Sequence, residues 1–140
     1  MSGSVFGVDY GTKRIGLAIT DPGRSFVFGR ETLVREGGND AQRVALLAKE
    51  ESAVLLAIGL PLNADGTEGG MAAAARAFGA AVGTAAGLPV VFVDERYTSI
   101  EADEHLKERF PKDTRKRKSM RDRAAAILIL RTFLEHGPLR

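Results

Sequence analysis

Ser4-Val-Phe-Gly-Val-Asp9, then Tyr10-Gly-Thr-Lys-Arg14, then Ile15-Gly-Leu-Ala-Ile-Thr20 is the stretch whose reading decides the fold. The two flanking runs are short, apolar and rich in β-branched residues, and the segment between them has the length and glycine of a hairpin loop. Asp21-Pro22-Gly23 supplies a second turn signal, and Ser25 to Val34 reads as a third strand, which completes an antiparallel meander. On the first strand Val5, Gly7 and Asp9 share one face, and Phe6, Val8 and Tyr10 share the other.

Beyond the meander the pattern changes. Asn39 or Asp40 can cap a helix with Ala41, Val44, Leu47 and Ala48 on one face. Val54 to Leu60 is a continuous apolar run of the kind that lies between two covering layers. An alanine-rich helix from about Met71 to Ala86 follows, with Gly79 and Gly83 permitting close packing, and Gly87-Leu88-Pro89 stops it. Val90 to Asp94 is a second buried strand, Ser99 to Phe110 is helical, Pro111 to Lys118 reads as a basic loop, and the last helix runs from Ser119 to about Glu135. Alternating helices and strands after a meander predict an α/β fold with a mixed sheet, and a chain of 140 residues without repeats predicts one domain over residues 1–140.

Composition narrows the chemistry. The chain has no cysteine and two histidines, His105 and His136, so thiolate nucleophiles, Cys-based zinc sites and a serine–histidine triad have little material. The longest apolar run, Ala53 to Leu60, has eight residues, against the roughly 20 that span a bilayer, and no signal-like segment begins the chain. A cytoplasmic protein that does not engage a membrane is expected. Residues 112–123 hold seven basic side chains against two acidic ones, while the rest holds thirteen basic against sixteen acidic. A basic block on a mildly acidic body points to an anionic partner, nucleic acid being the commonest, with a solvated loop as the plain alternative.

Three acids stand at element ends. Asp9 closes the first strand and is either a turn cap or a ligand, with Gly7 and Gly11 clearing space beside it. Glu95 follows a buried strand at its carboxyl end, where α/β sheets bind ligands, though Asp94-Glu95-Arg96 could equally be a surface ion-pair cluster. Asp122 either closes a capping box that starts at Ser119 or begins a stripe with Ala126, Ile129 and Phe133 that faces the sheet. An inward carboxylate must neutralise, pair or bind a cation. Three converging carboxylates without His or Cys suit Mg2+ or Mn2+, and two such ions about 3.5–4 Å apart support phosphodiester cleavage. That chemistry predicts the three carboxylates within roughly 8 Å of one another. The Gly59–Gly70 segment, with Asp65-Gly66 as a turn, reads as either a phosphate-holding loop or an ordinary strand-to-helix connection. Neither a P-loop nor a dinucleotide fingerprint is present.

Four segments, Asp9 to Gly16, Gly59 to Gly69, Asp94-Glu95-Arg96 and Lys118 to Leu130, together resemble the YqgF/RuvX family. These are RNase H-like nucleases described as Holliday junction resolvase homologues and pre-16S rRNA nucleases. The resemblance implies an RNase H-like, five-stranded mixed sheet, a three-strand antiparallel meander plus two parallel strands, flanked by helices. It also implies a divalent-metal-dependent, structure-selective endonuclease with Asp9, Glu95 and Asp122 at the matching acidic positions. Tyr97 and Arg131 depart from it, where leucine and glutamine are common. On this reading Lys13, Arg14, Arg96, Arg115, Lys116, Arg117, Lys118 and Arg121 contact phosphates of branched DNA or precursor rRNA. Aromatic residues are too few for base stacking, so shape recognition is expected. A homodimer would suit a two-fold junction, whereas rRNA trimming would not require one. The alternatives are a non-catalytic nucleic-acid-binding factor in transcription or ribosome maturation and, from the likeness of Asp9-Tyr10-Gly11-Thr12 to a phosphate loop of actin-like kinases, an ATPase.

Overall fold

The structure is a computed structural model that describes the backbone of residues 3–96 and 114–139, and the side chains of residues 3–96 and 123–139. The order of elements is β1 (Ser4–Tyr10), β2 (Arg14–Thr20), β3 (Val27–Gly29), β4 (Leu33–Val34), α1 (Asp40–Glu50), β5 (Ala53–Leu60), α2 (Gly70–Ala86), β6 (Val90–Asp94) and α3 (Thr114–His136). The sheet runs β3-β2-β1-β5-β6, with β4 also pairing with β2. β2 lies antiparallel to β1, while β5 pairs parallel with both β1 and β6.

This is the expected mixed sheet, with its third strand in two pieces. Ala18 faces Gly29, but Ile15 faces Leu33, so one extra residue must fit between the two pairings. The chain accommodates it at Arg30–Thr32, where Arg30 turns out to form a two-pronged ion pair with Glu51. The last helix is the larger correction. It begins at Thr114, so residues 114–118, expected as part of a basic loop, are its first turns, and Ser119 cannot be its cap. Lysine and arginine have helix propensities close to alanine's, and a charge run does not stop a helix. The helix expected over residues 99–110 lies outside the described residues. Within the described residues no helix is long and apolar enough to cross a membrane.

Two layers of helix enclose the sheet. Phe6, Val8, Ile15, Leu17, Ile19, Leu56 and Ile58 pack beneath α1 and α2, through Val44, Ala48, Phe78 and Val82. On the opposite face Val5, Ala18, Ala57 and Val93 meet Ala126, Ile129 and Leu130 of α3. The strand alternation read from Val5, Gly7 and Asp9 therefore assigns Asp9 to the α3 face and Tyr10 to the other. Small residues set the layer spacing. A Cβ on Gly83 would stand 2.4 Å from Val90, and one on Gly79 would stand 3.0 Å from Ile58, so α2 rides directly on β5 and β6. Gly87, in the left-handed region at φ 67°, ends α2 as its sequence position suggests.

α3 approaches the opposite face as closely. Arg123 and Ile127 lie over Gly29 of β3, Leu130 over Gly7 of β1 and Ile129 over Gly59 of β5. The helix thus crosses the sheet on a track of glycines. A Cβ on Gly7 would sit 2.6 Å from Leu130 Cγ, and both partners are fully buried. Gly7→Ala is expected to overpack this contact and lower stability by about 1–3 kcal/mol in urea unfolding, even though alanine is the better strand residue.

Candidate active site

β1, β5 and β6 are mutually parallel, so their carboxyl ends fall at one edge of the sheet. Asp9 comes from β1, and Glu95 stands immediately after β6; β5 lies between them. Two side chains separated by a whole strand would ordinarily be held apart by the intervening residue. Here that residue is Gly59, which pairs with Val93 and whose missing side chain would point to the α3 face. A Cβ there would lie 2.5 Å from Glu95 Oε2 and 2.4 Å from Ile129 Cδ1. Gly59 is therefore a slot that the Glu95 carboxylate fills.

Through that slot Glu95 reaches Asp9, and the two carboxyl groups share a hydrogen bond. Glu95 is 9% exposed. Burial first, and then the negative charge of Asp9 and of nearby Asp94, pushes the Glu95 carboxyl up to about 9. Two acids in such contact cannot both ionise without help, so in the metal-free protein a proton stays between them. A cation would take that proton's place, and an all-oxygen donor set suits a hard divalent ion. Among the described residues no cluster of three or more metal-ligating side chains forms. The Asp122 side chain lies outside the described residues; its position is one helical turn before the buried Ala126 on α3. Ala126 and Ile129 are buried against the sheet, and Phe133 packs beside them, as the stripe predicts.

Sequence reading missed the use of Gly59, although a glycine within a buried strand is a signal of close approach. It also left Asp94 without a role. The Asp94 carboxylate accepts hydrogen bonds from the Arg96 backbone at 2.9 Å, from Nε at 3.0 Å and from Nη2 at 2.8 Å. Burial opposes its charge, but these bonds and the guanidinium outweigh it and hold Asp94 below the usual carboxylate range. Arg96 Nη1 then donates to the Ala64 carbonyl at 3.3 Å, which braces the 61–69 loop against the end of β6. That loop is closed on itself: Leu62 bridges to Glu68, Asn63 N donates to Thr67 O, and the Asp65 carboxylate accepts from both N and Oγ1 of Thr67. Lys13 is exposed and Arg14 half-buried at the β1–β2 turn. Arg115, Lys116, Arg117, Lys118 and Arg121 all belong to the first turns of α3, and their side chains are outside the described residues.

The family model for RuvX, Holliday junction resolvase, matches residues 3–136. The chain belongs to the RuvX family. It is 38% identical over 132 residues to a protein of Endomicrobium trichonymphae, with 94% of each chain covered. It is 41% identical over 133 residues to one of Crocosphaera subtropica, covering 94% of this chain and 92% of the other. Both relatives carry the name "Putative pre-16S rRNA nuclease". Among solved structures, RuvC of Thermus thermophilus in complex with a Holliday junction substrate superposes with a TM-score of 0.59 over 98% of this chain and 99% of that one. At 16% identity that match shows a shared RNase H-like fold. This RuvX chain is thus a nuclease, a hydrolase of phosphodiester bonds.

The Glu95 environment has a measurable consequence. Its carboxyl is raised from an ordinary value of 4.5 to about 9, so the folded state favours the neutral form. The stability this confers is complete below about pH 4.5 and is lost as pH rises through about 9. In chelator, urea unfolding of the native chain and of Glu95→Gln should show the native chain losing stability relative to the variant from pH 5 to pH 9. A difference independent of pH would contradict the buried contact with Asp9.

Proposed function

We propose that this RuvX chain is a divalent-metal-dependent, structure-selective endonuclease acting on precursor rRNA ends or branched DNA. The observation that carries the reading is the Asp9–Glu95 contact in the Gly59 slot, two acids held in proximity at a buried strand edge. Asp9 and Glu95, with Asp122 from α3, would hold Mg2+ or Mn2+. When bound, the metal supplies Lewis-acid stabilisation of phosphate oxygens and a water of lowered pKa. The protein's own part is placement. Asp9 and Glu95 are fixed at the ends of the parallel strands β1 and β6, on either side of β5, and Ile129 and Leu130 close the apolar side of the site against water. Lys13 and Arg14 on the β1–β2 turn, together with Arg115, Lys116, Arg117, Lys118 and Arg121 on the first turns of α3, would contact the substrate backbone. Arg96, ion-paired to Asp94, would fix the 61–69 loop as a wall beside the scissile phosphate.

A helical rather than looped basic segment supports recognition of nucleic-acid shape, because its cations then have a fixed spacing along one rod. Precursor rRNA is the substrate that the relatives' names favour, and branched DNA is the one that the family description favours.

The decisive measurement is cleavage of a precursor-rRNA end and of a four-way DNA junction with Mg2+ or Mn2+. Asp9→Asn is expected to abolish cleavage, by at least a hundredfold, while binding in chelator persists. Equal turnover by the variant would remove the metal-dependent mechanism and leave a non-catalytic binding factor. Gly59→Ala should also reduce cleavage strongly, because the added methyl group displaces Glu95 without changing any charge.

A further inference from the structure

Arg35 is outside every segment that sequence reading singled out, yet it holds the turn that follows Asp9. It lies just past β4, and its backbone N donates to the Lys13 carbonyl at 2.9 Å, which extends the pairing with β2 by one residue. Its Nη1 donates to the carbonyls of Gly11 at 3.1 Å and Thr12 at 2.9 Å. Its guanidinium carbon lies over the Tyr10 ring, 4.4 Å from the centroid. Tyr10 in turn stacks on Phe78, with centroids 4.1 Å apart and planes 12° apart. One face of Tyr10 is thus taken by Phe78 and the other by Arg35, a three-layer stack rooted in the core beneath α2. The next residues are fixed as well, since the buried Asp40 carboxylate accepts from the backbone N of Glu36 and of Gly37.

The partners of this guanidinium are all neutral. Arg30 pairs with Glu51, Arg43 with Asp40, Arg76 with Glu68 and Arg96 with Asp94, so the charges of these arginines are matched within the protein. Arg35 meets two carbonyls and a π-face instead. Among the described residues its Nε and Nη2 make no hydrogen bond to protein, so the two-pronged edge of the fork is uncommitted. A clamp for the turn would need only one neutral donor. An immobilised, unmatched guanidinium presenting its bidentate edge has the geometry that recognises phosphate. Gly11 is two residues beyond Asp9, about 7 Å of extended chain; the guanidinium lies on the Tyr10 side of the sheet and the carboxylates on the α3 side, so a nucleic-acid strand that crosses the end of β1 would meet both.

We propose that Arg35 is a backbone-phosphate contact for the nucleic-acid strand entering the Asp9–Glu95 site, and that the Phe78–Tyr10 stack pre-orients it. This rests on the nuclease reading and extends the turn cations Lys13 and Arg14 to a group of three. Because the guanidinium is already ordered, little side-chain entropy is lost on binding.

The test is equilibrium binding of the full chain, in chelator so that no cleavage intervenes, to a labelled precursor-rRNA duplex end and a labelled four-way DNA junction, over a range of KCl concentrations. Arg35→Gln retains an amide donor for the turn but removes the charge. It should weaken binding roughly tenfold at low salt and reduce the slope of log K against log salt by about 0.9, one phosphate contact. Arg35→Lys should keep the native slope. Phe78→Leu, which loosens the stack without removing charge, should lower thermal stability and leave the slope unchanged. A native slope in Arg35→Gln, with stability reduced as in Phe78→Leu, would overturn the proposal and reduce Arg35 to a turn clamp, while leaving the nuclease reading intact. If the native chain binds neither probe, both fall.

Discussion

Two carboxyl groups, Asp9 and Glu95, meet at the carboxyl ends of β1 and β6, where burial and the charge of Asp9 keep Glu95 neutral, and the architecture around them exists to make that meeting possible. Burial and mutual repulsion favour a proton between them, and the same two effects make a divalent cation a strong competitor for the proton's place. The contact depends on β5, the strand between their own two, having no side chain at the level where they face each other. Glycine at 59 costs strand propensity, but it gives room to an ionisable group that a larger residue would force out.

The same economy recurs across the α3 face. Gly7, Gly29 and Gly59 lie on three different strands, and α3 crosses all three within van der Waals reach. Close approach brings the helix's Ile129 and Leu130 into the layer of the carboxylates and excludes water from one side of the site. On the other face of the sheet Phe6, Leu17, Ile58 and Phe78 fill the space beneath α1 and α2 and anchor the frame, with Gly79 and Gly83 setting the approach of α2. Stability and chemistry are therefore divided between the two faces, and the edge at the carboxyl ends of β1, β5 and β6 is where they join.

Arginines divide along a similar line. Four of those described, Arg30, Arg43, Arg76 and Arg96, are neutralised by a carboxylate and act as braces; the Asp94–Arg96–Ala64 chain, which fastens the 61–69 loop to the end of β6, is the one nearest the site. Arg35 is fixed by neutral groups and so keeps its field directed outward. In a protein whose net charge is only +2, it is this sorting of matched and unmatched cations, more than their number, that distinguishes a binding edge from the rest of the surface.

The sequence by itself determined the alternation of β1 and β2, the switch to helix and strand after residue 40, the stripe of Ala126, Ile129 and Phe133, and the acids at the ends of β1 and β6, because periodicity and end position are local properties. Local signals were weakest where charge and turn chemistry were ambiguous. The basic run at 114–118 reads as a loop by composition but continues a helix by propensity, and the third strand breaks where its register with β2 slips by one residue. Only the tertiary structure decided that Asp9 reaches Glu95 across β5, that Gly59 is the gap between them, that Asp94 orients Arg96, and that Arg35 caps the Tyr10–Phe78 stack. Each of these joins residues between 2 and 86 positions apart through the space between strands or layers, and no one-dimensional pattern reports which side chain is absent from that space.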